Sequence, residues 1–335
     1  MATSSNAVEI LDCTLRDGSY AVDFRFTEAT IRSVLSGLAA SGVRLIELGH
    51  GLGLGAGAAL GKPMLVPEER CFELATELLR GADWGMFCIP GMATLSGLKR
   101  AATAGMRFVR VGVDITHVAP AEEFVGLAKD LGLRTFTNLM KTNVLAVDGV
   151  VNAAQRCAKY GADAVYLVDS VGGYRPHEVA ELFDAVRDAL GTTLGFHGHD
   201  NLGLANANAL AAADNGATFI DTTLDGIGRG AGNTVTESFA AILAGRNAGA
   251  AYDYRHLARL SETVIRPLAR LHDDREYQLV GSLTRTHSSF FPLITRCADA
   301  TGVDVFALMA AVAEVERVNP TEALVMATAA RLVTR

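Results

Sequence analysis

The strongest constraint on this chain is a rhythm. A short run rich in Val, Ile, Leu and Phe recurs eight times, at intervals of roughly 25–40 residues, with alanine-rich amphipathic stretches in between. The runs are Val8–Cys13, Val43–Leu48, Trp84–Ile89, Phe108–Val113, Arg134–Leu139, Ala164–Val168, Thr193–His197 and Ala217–Thr222. None alternates cleanly, as expected of parallel strands covered on both faces. The stretches between them, Thr27–Ser41, Pro67–Arg80, Thr94–Ala104, Pro120–Leu131, Val147–Tyr160, Pro176–Ala189 and Ala205–Asn215, open at Thr or Pro and close at Gly in several cases, which are helix start and stop signals. Eight such alternations predict an α/β fold, a TIM (β/α)8 barrel. A doubly wound open sheet fits less well, because it usually needs fewer strands and no GxGxxG follows the first run.

After about residue 250 the strand signal fades. Tyr254–His272, Ser288–Thr301, Asp304–Arg317 and Thr321–Leu332 read as helices, separated at Gly281-Ser282, Thr301-Gly302 and Asn319-Pro320. The expected division is a catalytic barrel over residues 1–270 and a small helical C-terminal domain over 271–335, available for a partner or dimer contact. The length of 335 residues suits a barrel of about 250 plus an appendage.

Half of the residues are hydrophobic and 20% charged, enough apolar material for a large core. A net charge of −7 argues against a nucleic-acid or anionic-membrane surface. No apolar stretch is long enough to span a bilayer, and the first residues show no secretory signal. The cysteines (Cys13, Cys71, Cys88, Cys157 and Cys297) are scattered singly, as expected of reduced thiols in a cytoplasmic protein.

In such a barrel the functional groups gather where strands end. Strand 7 ends in Phe196-His197-Gly198-His199-Asp200-Asn201, and residues two apart on a strand share a face. With Asp17 just past strand 1, His197 and His199 form a candidate two-histidine, one-carboxylate site for Mn²⁺, Mg²⁺, Co²⁺ or Zn²⁺. Arg16 sets a cation beside it, to hold an enolate oxygen or carboxylate, to bridge to Glu47, or both. The Gly226–Asn233 run reads as a tight turn near that centre, with Asn233 as a further ligand or supporting donor. Asp221 and Asp225 read as braces. Gly49–Gly61, containing His50, is either a lid or a plain connection.

Asp12-Cys-Thr-Leu-Arg-Asp-Gly18, His197-Gly-His199-Asp-Asn-Leu-Gly-Leu-Ala-Asn206 and Gly230-Ala-Gly-Asn233 together resemble the DRE-TIM metallolyase superfamily (HMGL-like). Within it the chain looks most like the 4-hydroxy-2-oxovalerate aldolase branch, through Glu47-Leu-Gly-His50-Gly51 and Asp169-Ser170. The resemblance implies metal ligation by Asp17, His197 and His199, with Mn²⁺ the expected ion, and enolate stabilisation by Arg16. Glu47, His50, Ser170 and Asn233 would bind substrate or support the site. It also implies a class II pyruvate aldolase, reversibly cleaving a 4-hydroxy-2-oxo acid to pyruvate and an aldehyde. An acylating aldehyde dehydrogenase is a possible partner, within a homo- or hetero-oligomer.

Two positions depart from the pattern. The aldolases carry His where this chain has Tyr20, and Tyr before a Ser-Ser-Phe where it has His287. One reading is an exchange, with His287 as base and Tyr20 as hydrogen-bond donor; the other is a loose alignment and a changed pocket. A metal-bound hydroxide could also serve as base. A Schiff-base aldolase finds little support, since of five lysines only Lys141 lies near a strand end. An acyl-CoA-dependent Claisen-type enzyme on the same metal site is the main alternative, weakened by Tyr20 where such enzymes usually have Gln. A non-catalytic partner-binding homologue is the other.

Overall fold

The computed structural model describes residues 8–246, 252–268, 270 and 274–333. Its strands are β1 (Glu9–Leu15), β2 (Leu45–Leu48), β3 (Asp83–Cys88), β4 (Phe108–Asp114), β5 (Arg134–Met140), β6 (Ala164–Asp169), β7 (Thr193–Gly198) and β8 (Ala217–Thr222). They pair in chain order, all parallel, and β8 returns to β1 to close a barrel. All eight expected runs are strands. Several continue slightly further than the apolar residues, as at Asp114, Asp169 and Gly198, because the backbone ladder carries on where the side chains turn polar.

The outer layer consists of α1 (Glu28–Ala40), α2 (Ala56–Leu60), α3 (Glu68–Leu78), α4 (Leu95–Thr103), α5 (Ala121–Asp130), α6 (Val147–Lys159), α7 (Pro176–Ala189), α8 (Ala205–Asp214) and α9 (Thr236–Gly245). Thr27 and Thr94 cap α1 and α4 through their side-chain oxygens. Helix α9 escaped the sequence reading: Thr-Glu-Ser-Phe-Ala-Ala-Ile-Leu-Ala-Gly is apolar through most of its length and shows no clear polar stripe. The short α2 lies inside Gly49–Gly61. That stretch is tied down by Leu54 N–H donating to the Phe87 carbonyl at 2.8 Å and Gly55 N–H to Glu68 at 3.0 Å.

Two apolar layers result. One fills the space between strands and helices; the other, with Leu11, Leu45, Phe108, Phe136, Tyr166 and Phe219, plugs the barrel interior. Strand periodicity then stacks polar residues above that plug, since Arg110 shares a face with Phe108, Asp221 with Phe219, and His199 with His197.

Beyond the barrel lie α10 (Tyr254–Leu260), a π-helical turn over Ser261–Ile265, α11 (Arg275–Thr284), α12 (Phe291–Thr301), α13 (Val305–Val315) and α14 (Glu322–Val333). The first of these helices, expected to run to His272, closes with the π-helical turn: residues 266–268 and 270 are not helical, and 269, 271 and 272 lie outside the described residues. Gly281-Ser282, expected as a break, sits inside α11. A Cβ on Gly281 would come within 2.7 Å of the Phe291 ring, so this glycine marks a close helix contact and not a stop. Helices α12–α14 enclose an apolar cluster of their own, including Ile294, Leu308, Met309, Val312 and Val325. No helix among the described residues is long and apolar enough to cross a membrane.

Candidate active site

The ends of β1 and β7 bring Asp17, His197 and His199 together, with their ligand atoms all within 4.8 Å of one another. All three are buried. Each is held by its back. Nδ1 of His197 meets Asp221 Oδ2 at 2.8 Å and Nδ1 of His199 meets the Gly232 carbonyl at 3.3 Å, so both rings turn Nε2 forward. Asp17 accepts from Arg16 at 2.8 Å and from the Asn233 amide at 2.6 Å. Gly228 is required beside this last bond: a Cβ there would lie 2.1 Å from Asn233 Nδ2 and 2.8 Å from Asp17 Oδ2. Burial pushes the Asp17 carboxyl up, but the Arg16 guanidinium, helped by the Asn233 hydrogen bond, outweighs it and holds the group well below the usual carboxylate range. Burial, reinforced by Arg229, drives His199 well below the ordinary histidine value, which keeps it neutral. A permanent carboxylate, the neutral His199 ring and the His197 ring, each imidazole with its Nε2 forward, suit a divalent ion, so the donor set fits the metal that the sequence implied.

A second cluster, Cys13, His197 and Asp221, is chemically different. The Arg110 guanidinium already bonds Cys13 Sγ at 3.3 Å and ion-pairs Asp221. Arg110 also donates to Glu47 at 2.9 Å and lies 4.5 Å from the centre of the Tyr166 ring.

The other sequence candidates fall into two groups. Arg16, Tyr20, Ser170 and His287 line one cavity of about 560 Å³ with Asp17, His197 and His199. Arg16 bonds Glu47 at 2.7 Å as well as Asp17, so the salt bridge and the cavity position coexist. Tyr20 packs its ring over Gly51, and burial raises its phenol to about 12. His287 holds Ser289 Oγ through Nδ1 at 2.8 Å; burial, then Arg229 and Lys141, lowers it to about 2. Glu47, His50 and Asn233 stay outside the cavity wall. Glu47 supports Arg16, and Asn233 supports Asp17. His50 stacks on Phe24 with ring centres 3.8 Å apart and accepts the Leu52 N–H through Nδ1.

Sequence reading missed two residues. Arg110 was visible as the one charge inside the apolar run Phe108–Val113. Arg229 was visible as a lone cation in a glycine run. Its guanidinium lines the cavity and touches His199 Nε2 at 3.1 Å, His287 Nε2 at 3.3 Å, Ser288 Oγ at 2.7 Å and the Ser170 carbonyl at 3.0 Å.

A family model described as HMGL-like matches residues 7–264. Among curated relatives, 4-hydroxy-2-oxovalerate aldolase 2 of Nocardia farcinica is 38% identical over 306 residues, covering 90% of this chain and 88% of its own. The 4-hydroxy-2-oxovalerate aldolase of Bacillus thuringiensis is 33% identical, covering 98% and 97%. Among solved structures, the N-terminal domain of a putative aldolase from Bacteroides vulgatus superposes with a TM-score of 0.69 at 24% identity, covering 84% of this chain and 94% of its own. The carboxyl transferase domain of Rhizobium etli pyruvate carboxylase gives 0.75 at 18%, covering 99% and 61%. These two likenesses concern the fold.

Proposed function

The chain belongs to the HMGL-like family, and from that premise we propose that it is a divalent-metal-dependent aldolase, a carbon–carbon lyase that reversibly cleaves a 4-hydroxy-2-oxo acid to pyruvate and an aldehyde. The observation that carries the reading is the convergence of Asp17, His197 and His199 in the cavity that also holds Arg16 and His287. Asp17 and the Nε2 atoms of His197 and His199 would hold the ion, Mn²⁺ by preference. When bound, the ion supplies Lewis-acid polarisation of the 2-oxo acid.

Arg16, fixed by Glu47 and Asp17, points a planar cation at the oxygen that gains charge as the C3–C4 bond breaks. His287, neutral and within the cavity, takes the 4-hydroxyl proton on Nε2, the nitrogen that Arg229 contacts in the substrate-free cavity. The electrons of the broken bond pass into C2–C3, and a proton returned to C3 completes pyruvate. Burial is the main cause that depresses His287, and an anionic substrate offsets the smaller part due to Arg229 and Lys141, which raises its basicity by that part. Tyr20, with its phenol raised to about 12, keeps its proton and donates a hydrogen bond.

The separate apolar cluster of α12–α14 supports a division at 270/271; contact of this helical region with an acylating aldehyde dehydrogenase rests on the family resemblance alone. Five free, buried cysteines support a cytoplasmic setting.

The test is a coupled assay on metal-stripped protein, followed by Mn²⁺ reconstitution, with 4-hydroxy-2-oxovalerate and with pyruvate plus a panel of aldehydes. Turnover should appear only with metal and fall by on the order of a thousandfold in Asp17→Asn. Metal-bound protein silent across the panel but consuming an acyl-CoA would replace this reading with the Claisen one.

A further inference from the structure

Cations at the barrel mouth and in the layer beneath it are matched with carboxylates: at the mouth Arg16 with Asp17 and Glu47, Lys141 with Asp114 and Arg285 with Glu178, and beneath it Arg110 with Glu47 and Asp221. Arg229 is the exception. Its hydrogen bonds run to two imidazole nitrogens, a hydroxyl and a carbonyl, all neutral, and among the described residues no carboxylate pairs with it. Among the described residues Asp17 is the single carboxylate on the cavity wall, and Arg16 and Asn233 already hold it. A half-buried guanidinium without a counter-ion gains most from an anion brought by a ligand.

Its backbone makes the placement firm. Gly230 adopts φ +63 and packs against Gln278 and Asn201, Ala231 N–H donates to Asn201 at 3.2 Å, and Asn201 donates to Gln278 of α11 at 2.9 Å. The two cavity cations also serve different sides. Arg16 contacts Asp17, Glu47 and Gly51, whereas Arg229 contacts His199, His287, Ser288 and Ser170, with no partner in common. Arg229 therefore adjoins the base assigned to the 4-hydroxyl, which belongs to the aldehyde half of the substrate. The Nε2 lone pair it uses on His199 is also the one a metal would take, so an ion in place frees that donor.

Resting on the aldolase reading, we propose that Arg229 is a specificity residue that binds an oxyanion, carboxylate or phosphate, on the aldehyde half, with Ser288 Oγ beside it. The preferred acceptor is then a short aldehyde that carries its own negative charge. The experiment measures aldol addition by the Mn²⁺-loaded protein with pyruvate and two matched pairs: succinic semialdehyde against pentanal, and glyceraldehyde 3-phosphate against glyceraldehyde. One charged member should exceed its neutral partner in kcat/KM by roughly tenfold or more, and which pair does so identifies the oxyanion. Arg229→Gln should collapse that ratio, and Arg229→Lys should retain part of it. Ratios near one in the wild type overturn the proposal. So does a ratio unmoved by Arg229→Gln, including the case where KM for pyruvate alone rises. If no aldehyde turns over, the aldolase reading has failed. The anion site is then judged by calorimetry with succinate and inorganic phosphate on the metal-loaded protein: binding lost in Arg229→Gln upholds it, and equal binding overturns it.

Discussion

Inside the barrel Arg110 is wholly enclosed, with Glu47 and Asp221 as ion-pair partners and Tyr166 beneath it. At the mouth Arg229 is also surrounded by protein, yet everything it touches is neutral and its guanidinium faces a cavity. The inner layer spends its charges on one another and becomes a rigid support. The outer layer leaves histidine nitrogens, a carboxylate and a cation turned towards space that a substrate can fill. Asp221 joins the two, because one carboxylate receives Arg110 from below and orients His197 above. Catalytic groups of this kind need a charged foundation as much as an open face.

The comparison breaks first at Arg110. Arg110→Met would leave Asp221 without a cation and Glu47 with Arg16 alone, and urea denaturation should show a loss of about 3–5 kcal/mol; a loss under about 1 kcal/mol would mean that the inner layer is not held by charge. A smaller effect is expected at the junction. Asp221→Asn should weaken metal affinity by roughly 10–100-fold, read by competition with a chelator, because His197 loses its orienting carboxylate. Unchanged affinity would separate the layers. The smallest effect concerns His287. Its folded value of about 2 lies below the unfolded value near 6.5, so below that pH the unfolded chain takes a proton that the folded one refuses. Stability present above pH 6.5 should fall as pH drops towards 5, by no more than about 1.4 kcal/mol per unit, and His287→Gln should flatten the slope. Identical slopes would show that the mouth does not keep this imidazole uncharged.

Much of this was legible in the chain itself. The eight strands announced themselves because burial on both faces demands nearly continuous apolar runs, and His197-Gly198-His199 fixed its own geometry by the two-residue period. What stayed hidden depends on contacts across the barrel. Arg110 sits in mid-strand, where a search of strand ends passes over it, and only the closed ring brings it to Asp221, 111 residues away. Arg229 looked like part of a flexible turn until Asn201 and Gln278 were seen to clamp that turn. His50 is a different case. Its motif suggested a role in or beside the site, and spacing alone does not reveal the stack on Phe24 that fixes its ring.

The clamp on the Gly226–Asn233 turn bears on how this protein can be engineered. Gln278 in α11 props the turn through Asn201, Ser282 donates to the Val171 carbonyl at 2.6 Å, and Ser288 with His287 completes the surroundings of Arg229. A chimera that joined this barrel to another protein's tail would inherit a reaction centre with one wall missing. The useful crossover point therefore lies beyond Phe290, downstream of the last residue that the barrel borrows, and not at the seam where the strands end.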